Sequence, residues 1–206
     1  MIITQYITMK SVKFYHIKDE IRILGIDDSP FSFRDDSVFL VGCIFRGGQW
    51  LDGVLSTRVE VDGIDATEKI IDLVKKCKFK DLRIIMLDGL GFGGFNLVDI
   101  KKIFKETKLA VIVIVRQMPD FKEIKNALRH LDNKKFRLDC IKKAGIPKKI
   151  ETKPEKFIYM QKCGIKLKDA EEIVKLSSTR SLIPEPIRVA HLIGSGIVLG
   201  ESRGGA

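Results

Sequence analysis

Apolar positions in the first third of the chain occur in short runs that are separated by turn residues. Residues 21–27 and 38–45 are almost continuously apolar and have the composition of buried β-strands. Residues 50–61 mix β-branched and polar positions, and Gly47 and Gly48 supply a turn before them. The pattern predicts an antiparallel meander of three strands.

From Asp65 onward, helical periods alternate with buried strands. A helix is predicted to begin there, because Ile70, Ile71 and Val74 fall on one helical face. The elements predicted after it are a strand over residues 82–87, a helix over 97–104, a strand over 109–115 and a helix over 119–130 that starts with a capping box. This order predicts an α/β fold with a mixed sheet, three antiparallel strands followed by parallel ones, flanked by helices. It is the order found in ribonuclease H-like domains.

The last third of the chain has a weaker pattern. Residues 132–156 are rich in lysine and contain two prolines, which predicts a short strand with exposed loops. Helices are predicted over residues 168–176 and 184–193, the second with Pro186 in its first turn. The glycine-rich residues 194–206 predict a partly flexible tail. No repeat or domain boundary is visible, so residues 1–206 are predicted to form one domain.

Composition places the chain among globular proteins, with 45% hydrophobic and 31% charged residues in a length of 206. No segment approaches the roughly 20 apolar residues of a membrane span, and lysines interrupt the first 14 residues where a signal peptide is apolar. We therefore expect a cytoplasmic protein. The four cysteines are far apart, which favours core or surface thiols over a zinc site or a disulfide framework.

The net charge of +10 is concentrated in one quarter of the chain. Residues 101–156 contain 17 lysines or arginines against 7 acids, whereas the rest of the chain is balanced. Such a region attracts polyanions, so nucleic acid is the leading partner and an anionic membrane surface the second. The alternative is that these lysines form only solvated helix faces.

Carboxylates follow two of the predicted strands and precede a helix. Asp27 and Asp28 end the first strand, and Asp88 ends the strand over residues 82–87. Because parallel neighbours end at the same sheet edge, Asp27 and Asp88 are expected to lie side by side. Carboxylates so close are stabilised by a divalent cation, and Mg²⁺ or Mn²⁺ prefers oxygen ligands. Such an ion can polarise a phosphodiester and lower the pKa of an attacking water.

Several of these acids also have a structural interpretation. Asp65 begins a capping-box pattern, so cap and metal ligand are equally favoured for it. Asp28 precedes Ser29 and Pro30, where aspartate often organises a turn. Asp88 is the strongest ligand candidate, because a turn after an apolar strand does not need a carboxylate.

A glycine-rich loop follows Asp88. Its glycines, Gly89, Gly91, Gly93 and Gly94, permit close approach of a phosphate or a displaced base, and Asn96 can cap the helix that follows. The loop lacks the Gly-Lys-Ser/Thr ending of a P-loop. The three histidines, including His191, are isolated in sequence and assemble no Ser-His-Asp triad.

Four segments together carry a family resemblance. They are Gly-Ile-Asp at 25–27, Asp-Gly-Ile-Asp-Ala-Thr at 62–67, the segment from Leu87 to Asp99, and Pro-Glu-Pro-Ile-Arg-Val-Ala at 184–190. With them the chain resembles the endonuclease V superfamily, and most closely its archaeal branch, endonuclease dU.

The resemblance implies a ribonuclease H-like fold and Mg²⁺-dependent nicking of DNA near deaminated bases, with deoxyuridine as the lesion. It matches Asp27 and Asp88 to metal ligands, and Asp65 stands where endonuclease V has a glutamate. Endonuclease V also has a histidine or an acid in its C-terminal half, but the matching residues 162–166 offer neither. Its aromatic and proline wedge is not evident in this chain.

Three functional hypotheses follow from the sequence. The first is a metal-dependent endonuclease that uses Asp27, Asp65 and Asp88 as catalytic metal ligands, with Asp28 and Asp62 as alternatives. Its nucleic-acid contacts are predicted at Gly89, Gly91, Gly93, Gly94, Asn96, Lys101 and Lys122, with DNA as partner and RNA as the alternative. The second is a non-catalytic nucleic-acid-binding protein on the same scaffold, and the third is a small-molecule hydrolase.

Overall fold

Residues 11–202 of the chain are described in a computed structural model. Seven strands form one mixed sheet in the spatial order β3-β2-β1-β4-β7-β9-β8. The strands are β1 Arg22–Asp28, β2 Ser37–Arg46, β3 Trp50–Glu60, β4 Ile84–Asp88, β7 Ala110–Val115, β8 Lys148–Lys153 and β9 Lys156–Cys163, and a separate small hairpin pairs β5 Gly91–Phe92 with β6 Asn96–Leu97. The helices are α1 Ala66–Lys76, α2 Ile100–Thr107, α3 Phe121–Ala127, α4 Lys134–Ala144, α5 Leu167–Ser177 and α6 Glu185–Leu199, and a 3₁₀ turn at Leu128–His130 extends α3.

Helices cover both faces of this sheet. Strands β1, β4 and β7 are parallel neighbours. Along each strand, successive side chains point to opposite faces of the sheet. Leu24 and Leu87 pack with residues of α1 and α2, whereas Ile23 and Met86 pack with residues of α5 and α6. The central strands are therefore apolar on both faces, which explains their continuous apolar runs.

Helix α6 lies directly on β1. A side chain at Gly25 would bring its Cβ within 2.3 Å of the Pro186 carbonyl carbon, so only glycine permits this approach. The close packing fixes the height of α6 above the sheet. One and a half turns further along α6, His191 reaches the end of β1 and contacts Asp27.

The predicted meander, the alternation after it and the mixed sheet are confirmed. Asp120 caps α3 as expected, since its carboxylate accepts hydrogen bonds from the backbone N–H groups of Lys122 and Glu123 at 2.8 and 3.1 Å. Pro186 lies in the first turn of α6, also as expected. Across residues 11–202, no helix is long and apolar enough to cross a membrane.

The prediction for residues 132–156 was right about the short strand but wrong about the rest of the segment. The short strand is β8, but the segment also contains the eleven-residue helix α4, and β8 pairs with a further strand, β9; neither α4 nor β9 was predicted. Helix α4 escaped detection because its buried face carries Arg137 and Cys140 rather than an apolar stripe. The tail expected from Gly194 is helical as far as Leu199, and residues 203–206 lie outside the described part of the chain.

Candidate active site

Two carboxylates meet at the carboxyl edge of the central strands. Ile26 of β1 pairs with Leu87 of β4, so Asp27 and Asp88 occupy the next position on adjacent parallel strands. By the alternation of the strands, both lie on the face that α5 and α6 cover. The sequence prediction that these two aspartates converge is therefore met by the strand register.

Asp27 is buried and is held by a histidine from α6. Its side chain is 6% exposed, and its Oδ2 lies 2.9 Å from Nδ1 of His191. Burial raises the pKa of Asp27 to about 7, the hydrogen bond from His191 opposes this rise, and the charges of Asp88 and Asp28 add to it. The hydrogen bond to Asp27 in turn raises the pKa of His191. The two side chains thus stabilise each other in a site where a lone carboxylate would ionise at a cost.

Asp88 has a partner of the opposite charge on the next strand. Its Oδ2 lies 3.3 Å from the guanidinium of Arg116, the first residue after β7. Burial raises the pKa of Asp88, and the charge of Arg116 works against that rise. The side chain of Asp88 is 10% exposed and that of Arg116 is 46% exposed, so Arg116 is the member of the pair that solvent reaches.

Asp28 points to the opposite face and serves the glycine-rich segment. Its Oδ2 accepts a hydrogen bond of 2.5 Å from the backbone N–H of Gly93, and its own N–H donates to Oδ1 of Asp27 at 2.9 Å. Burial nevertheless raises the pKa of Asp28, with the Asp88 charge as a smaller contribution. Asp28 therefore joins the end of β1 to the loop that follows β4, rather than organising the turn at Ser29 and Pro30.

The structure does not bring Asp65 to Asp27 or Asp88. Oδ1 of Asp65 accepts hydrogen bonds from Nδ2 of Asn96 at 2.7 Å and from the backbone N–H of Glu60 at 3.2 Å. Asp65 occupies the N-cap position of α1, but its side chain makes no capping hydrogen bond. The neighbouring Asp62 accepts a hydrogen bond from the backbone N–H of Phe95 at 2.7 Å instead of facing the pair.

Asn96 has a different role from the one predicted. Its Oδ1 accepts a hydrogen bond from the Ala66 N–H at 3.0 Å, so it caps α1, whereas α2 is capped by Asp99. Its Nδ2 donates to the Glu60 carbonyl at 2.9 Å as well as to Asp65. Because Asn96 is completely buried, the structure does not support the nucleic-acid contact that we predicted for it.

The glycine-rich segment after Asp88 forms the β5–β6 hairpin, which is bonded to Asp28. Gly89, Gly93 and Gly94 have positive φ angles, and a Cβ at Gly94 would lie 2.5 Å from the Asp62 carboxylate. A cavity of about 240 Å³ opens next to the hairpin. It is lined by Leu90, Gly91, Gly94, Phe95, Leu97, Val115, Pro119, Phe121, Ile124, Ile141 and Gln161. The predicted contacts Lys101 and Lys122 are exposed near the starts of α2 and α3.

The residue types at this site suit a divalent cation, but the geometry of their side chains does not form a complete metal site. Asp27 and Asp88 offer the carboxylate oxygens that Mg²⁺ and Mn²⁺ prefer. Within residues 11–202, however, no group of three or more His, Cys, Asp or Glu side chains is arranged to hold a metal ion. His191 and Arg116 each contact one oxygen of these carboxylates, so a cation at Asp88 would compete with Arg116 for that carboxylate. The four cysteines are all buried and contribute nothing to this site.

Sequence reasoning missed the two basic partners of the pair. His191 is isolated in sequence, and the family resemblance places the C-terminal histidine or acid at residues 162–166 rather than on α6. The only signal was its position next to the Pro-Glu-Pro-Ile-Arg-Val-Ala segment, which begins α6. For Arg116, the only sequence feature that pointed to the site was its position directly after a buried strand.

A mixed seven-stranded sheet in this strand order, flanked by helices, is a ribonuclease H-like fold. Solved structures of low sequence identity share this fold. Endonuclease V from Ciona intestinalis, crystallised with a 24mer DNA containing an inosine followed by a ribo-adenosine, is 17% identical and superposes with a TM-score of 0.56 over 82% of each chain. Human endonuclease V is 14% identical, with a TM-score of 0.53 over 82% of this chain and 80% of the human protein.

Closer relatives are archaeal. The sequence profile of the endonuclease dU family matches residues 19–198, and the chain belongs to this family. A UPF0215 protein of Methanothermobacter thermautotrophicus is 54% identical over 98% of this chain and 99% of the relative. The crystal structure of a protein of unknown function from Archaeoglobus fulgidus is 40% identical, with a TM-score of 0.77 over 86% of this chain and 98% of that one. Family membership supports a nuclease.

Proposed function

We propose that this protein is a divalent-metal-dependent endonuclease that nicks DNA at or near deaminated bases, with deoxyuridine as the preferred lesion, and that it acts in DNA repair. The observation that carries the proposal is the meeting of Asp27 and Asp88 on adjacent strands in a chain of the endonuclease dU family. Buried carboxylates that repel each other are uncommon unless they bind a cation or a cationic side chain.

The roles of the side chains follow from their contacts. Asp27 and Asp88 would hold Mg²⁺ or Mn²⁺, which supplies Lewis-acid activation of a phosphodiester when bound. His191 fixes the orientation of the Asp27 carboxylate through the 2.9 Å hydrogen bond, as partners of metal-binding carboxylates commonly do. Arg116 neutralises Asp88 in the absence of a cation, and its exposed guanidinium can contact a phosphate once Asp88 is engaged elsewhere.

The cavity beside the β5–β6 hairpin supports a damaged base as the recognised feature. Its volume of about 240 Å³ accommodates a pyrimidine ring, and its lining is mainly apolar with the amide of Gln161 as a polar group. A base must leave the duplex stack to enter such a cavity, and a mispaired uracil leaves it at lower cost than a paired base. The Ciona relative was crystallised with inosine-containing DNA, which adds a deaminated purine as a second substrate to test.

A nicking assay tests this function. Duplex oligonucleotides that contain a single deoxyuridine, a single deoxyinosine or no lesion are incubated with the purified protein in Mg²⁺, in Mn²⁺ or in EDTA. We expect nicks near deoxyuridine in either metal, at a rate at least tenfold above the undamaged duplex, and none in EDTA. A protein that nicks none of the duplexes in any metal contradicts the proposal.

The second candidate is a nucleic-acid-binding protein without catalysis. It is favoured by the observation that His191 and Arg116 already compensate the two carboxylates, with no cation required. This alternative predicts salt-dependent DNA binding that is unchanged by Mg²⁺ and is not followed by cleavage.

A further inference from the structure

A groove lined by cationic side chains opens next to Arg116. It has a volume of about 360 Å³. The residues that line it are Arg116, Lys153, Lys156, Phe157, Ile158, Arg180, Ser181, Leu182 and Ile183. Four of the nine are basic and none is acidic, so its field is positive throughout.

Three separate parts of the chain bring these cations together at one sheet edge. Arg116 follows the end of β7, next to Asp88. Lys153 and Lys156 pair across the tip of the β8–β9 hairpin, which turns at this edge because β9 runs antiparallel to β7. Arg180 lies between α5 and α6, and its carbonyl accepts a hydrogen bond of 3.0 Å from Nζ of Lys153. This bond fixes the hairpin to the loop and shapes the groove.

Two acids near this groove, Glu185 and Glu151, are engaged with other groups. Glu185 is buried and pairs with Arg188 at 2.7 Å, besides accepting a hydrogen bond from the Arg180 backbone N–H. The Glu151 carboxylate accepts a hydrogen bond from the backbone N–H of Glu155 in the hairpin turn, at 2.9 Å. No ion pair within 4.0 Å is formed by Lys153, Lys156 or Arg180 in the described part of the chain. Lys156 and Arg180 are therefore available to an external anion, and the Lys153 ammonium has further N–H groups besides the one that bonds to the Arg180 carbonyl.

We infer that this groove holds the phosphodiester backbone of the DNA strand that is cut, on one side of the cleavage point. The inference rests on the proposed function and adds to it the path of the substrate. The groove is continuous with the acidic pair, since Arg116 lines the groove and lies 3.3 Å from Asp88. A linear polyanion that runs from Asp88 toward the β8–β9 hairpin passes Arg116 and then meets Lys156 and Arg180.

An aromatic side chain favours a nucleic-acid strand over other polyanions. Phe157 lines the groove and is 40% exposed, and Nζ of Lys149 lies 4.0 Å from its ring centroid. An exposed ring beside cations can stack on a base while the cations contact phosphates, as single-strand-binding surfaces do.

The test is the salt dependence of DNA binding. In a groove variant, Lys156→Gln is combined with Arg180→Gln, which leaves the Lys153 bond to the Arg180 carbonyl intact. The control variant combines Lys76→Gln with Lys78→Gln, which removes the same charge at the opposite sheet edge, where α1 ends near the start of β1. Binding of a fluorescent deoxyuridine-containing duplex is measured by anisotropy in EDTA at several salt concentrations, after thermal melts confirm that both variants fold.

For the groove variant we expect the slope of log K against log salt to become shallower by about 2, because each lost phosphate contact contributes about 0.9. Its affinity should fall by at least about tenfold at 100 mM salt, whereas the control should stay within about threefold of the parent protein. If both variants bind and respond to salt like the parent, the inference is wrong. It is also wrong if the groove variant keeps its DNA affinity but loses binding to vesicles of anionic phospholipid.

Because binding is measured in EDTA, this outcome is separate from that of the nicking assay. If the parent protein does not nick DNA but the groove variant shows the expected shallower salt dependence, the groove binds DNA and the proposed nuclease function is wrong. If the parent protein nicks DNA but the groove variant has an unchanged salt dependence, the nuclease function stands and the inference about the groove is wrong.

Discussion

Replacing Asp88 with asparagine is expected to lower the rate of nicking by at least about 10³-fold without unfolding the protein. Asparagine keeps the shape of the side chain but removes one of the two charges at the strand ends, and a catalytic cation contributes several kcal/mol to such reactions, at 1.36 kcal/mol per tenfold in rate. The fold should survive, because the only ion pair lost is a half-exposed one with Arg116. The rate is measured with deoxyuridine-containing duplex in saturating Mg²⁺.

Two other substitutions make this experiment selective. Asp72→Asn makes the same chemical change at an exposed position of α1, and it should nick like the parent protein. Asp65→Asn tests whether the family resemblance or the observed contacts describe this residue better. Because Asp65 bonds to Asn96 and Glu60, we expect a loss smaller than that of Asp88→Asn. An Asp88→Asn protein that nicks within tenfold of the parent would remove Asp88 from the reaction.

Replacing Arg137 with methionine is expected to destabilise the protein by about 3–5 kcal/mol, the loss typical when a buried charged hydrogen-bonding partner is removed. Arg137 is 2% exposed. Its guanidinium donates hydrogen bonds to the carbonyls of Asp132 and Gly63, both at 3.0 Å, and to those of Asp62 and Phe95. Methionine fills a similar volume but leaves four carbonyls without this donor.

The loss should be visible in thermal unfolding as a decrease in Tm of roughly 10 °C, since 1 kcal/mol corresponds to about 2–4 °C in a protein of this size. Lys135→Met is the matched control, because Lys135 lies on the same helix and is exposed. If Arg137→Met unfolds within about 1 kcal/mol of the parent protein, the buried guanidinium does not fasten the loops at residues 62–63 and 95 to α4.

The sheet could be predicted from sequence because its signal is local. Strands β1, β4 and β7 are buried on both faces and therefore stand out as apolar runs, and the order of strands and helices along the chain favours the topology in which these three strands are parallel neighbours. The convergence of Asp27 and Asp88 follows from that order alone. Helix α4 could not be predicted, because its burial depends on Arg137 reaching carbonyls of residues 62, 63 and 95, which are distant in sequence.

The basic partners of the site depend on packing angles that no local pattern encodes. His191 reaches Asp27 only because Gly25 lets α6 rest on the backbone of β1. The role of Asn96 depends in the same way on the β5–β6 hairpin turning back toward α1, so that its amide meets Asp65 and the Ala66 N–H. Residue type and position indicated a polar site in both cases, but not which groups bond to which.

Anomalous scattering from crystals soaked in Mn²⁺ tests the central claim most directly, namely that Asp27 and Asp88 form one cation-binding centre. A peak is expected between the two carboxylates, with the guanidinium of Arg116 displaced from Asp88, and the same soak of Asp88→Asn crystals should leave that position empty. Crystals in which Arg116 stays on Asp88 and no Mn²⁺ peak lies within ligand distance of Asp27 would contradict the claim.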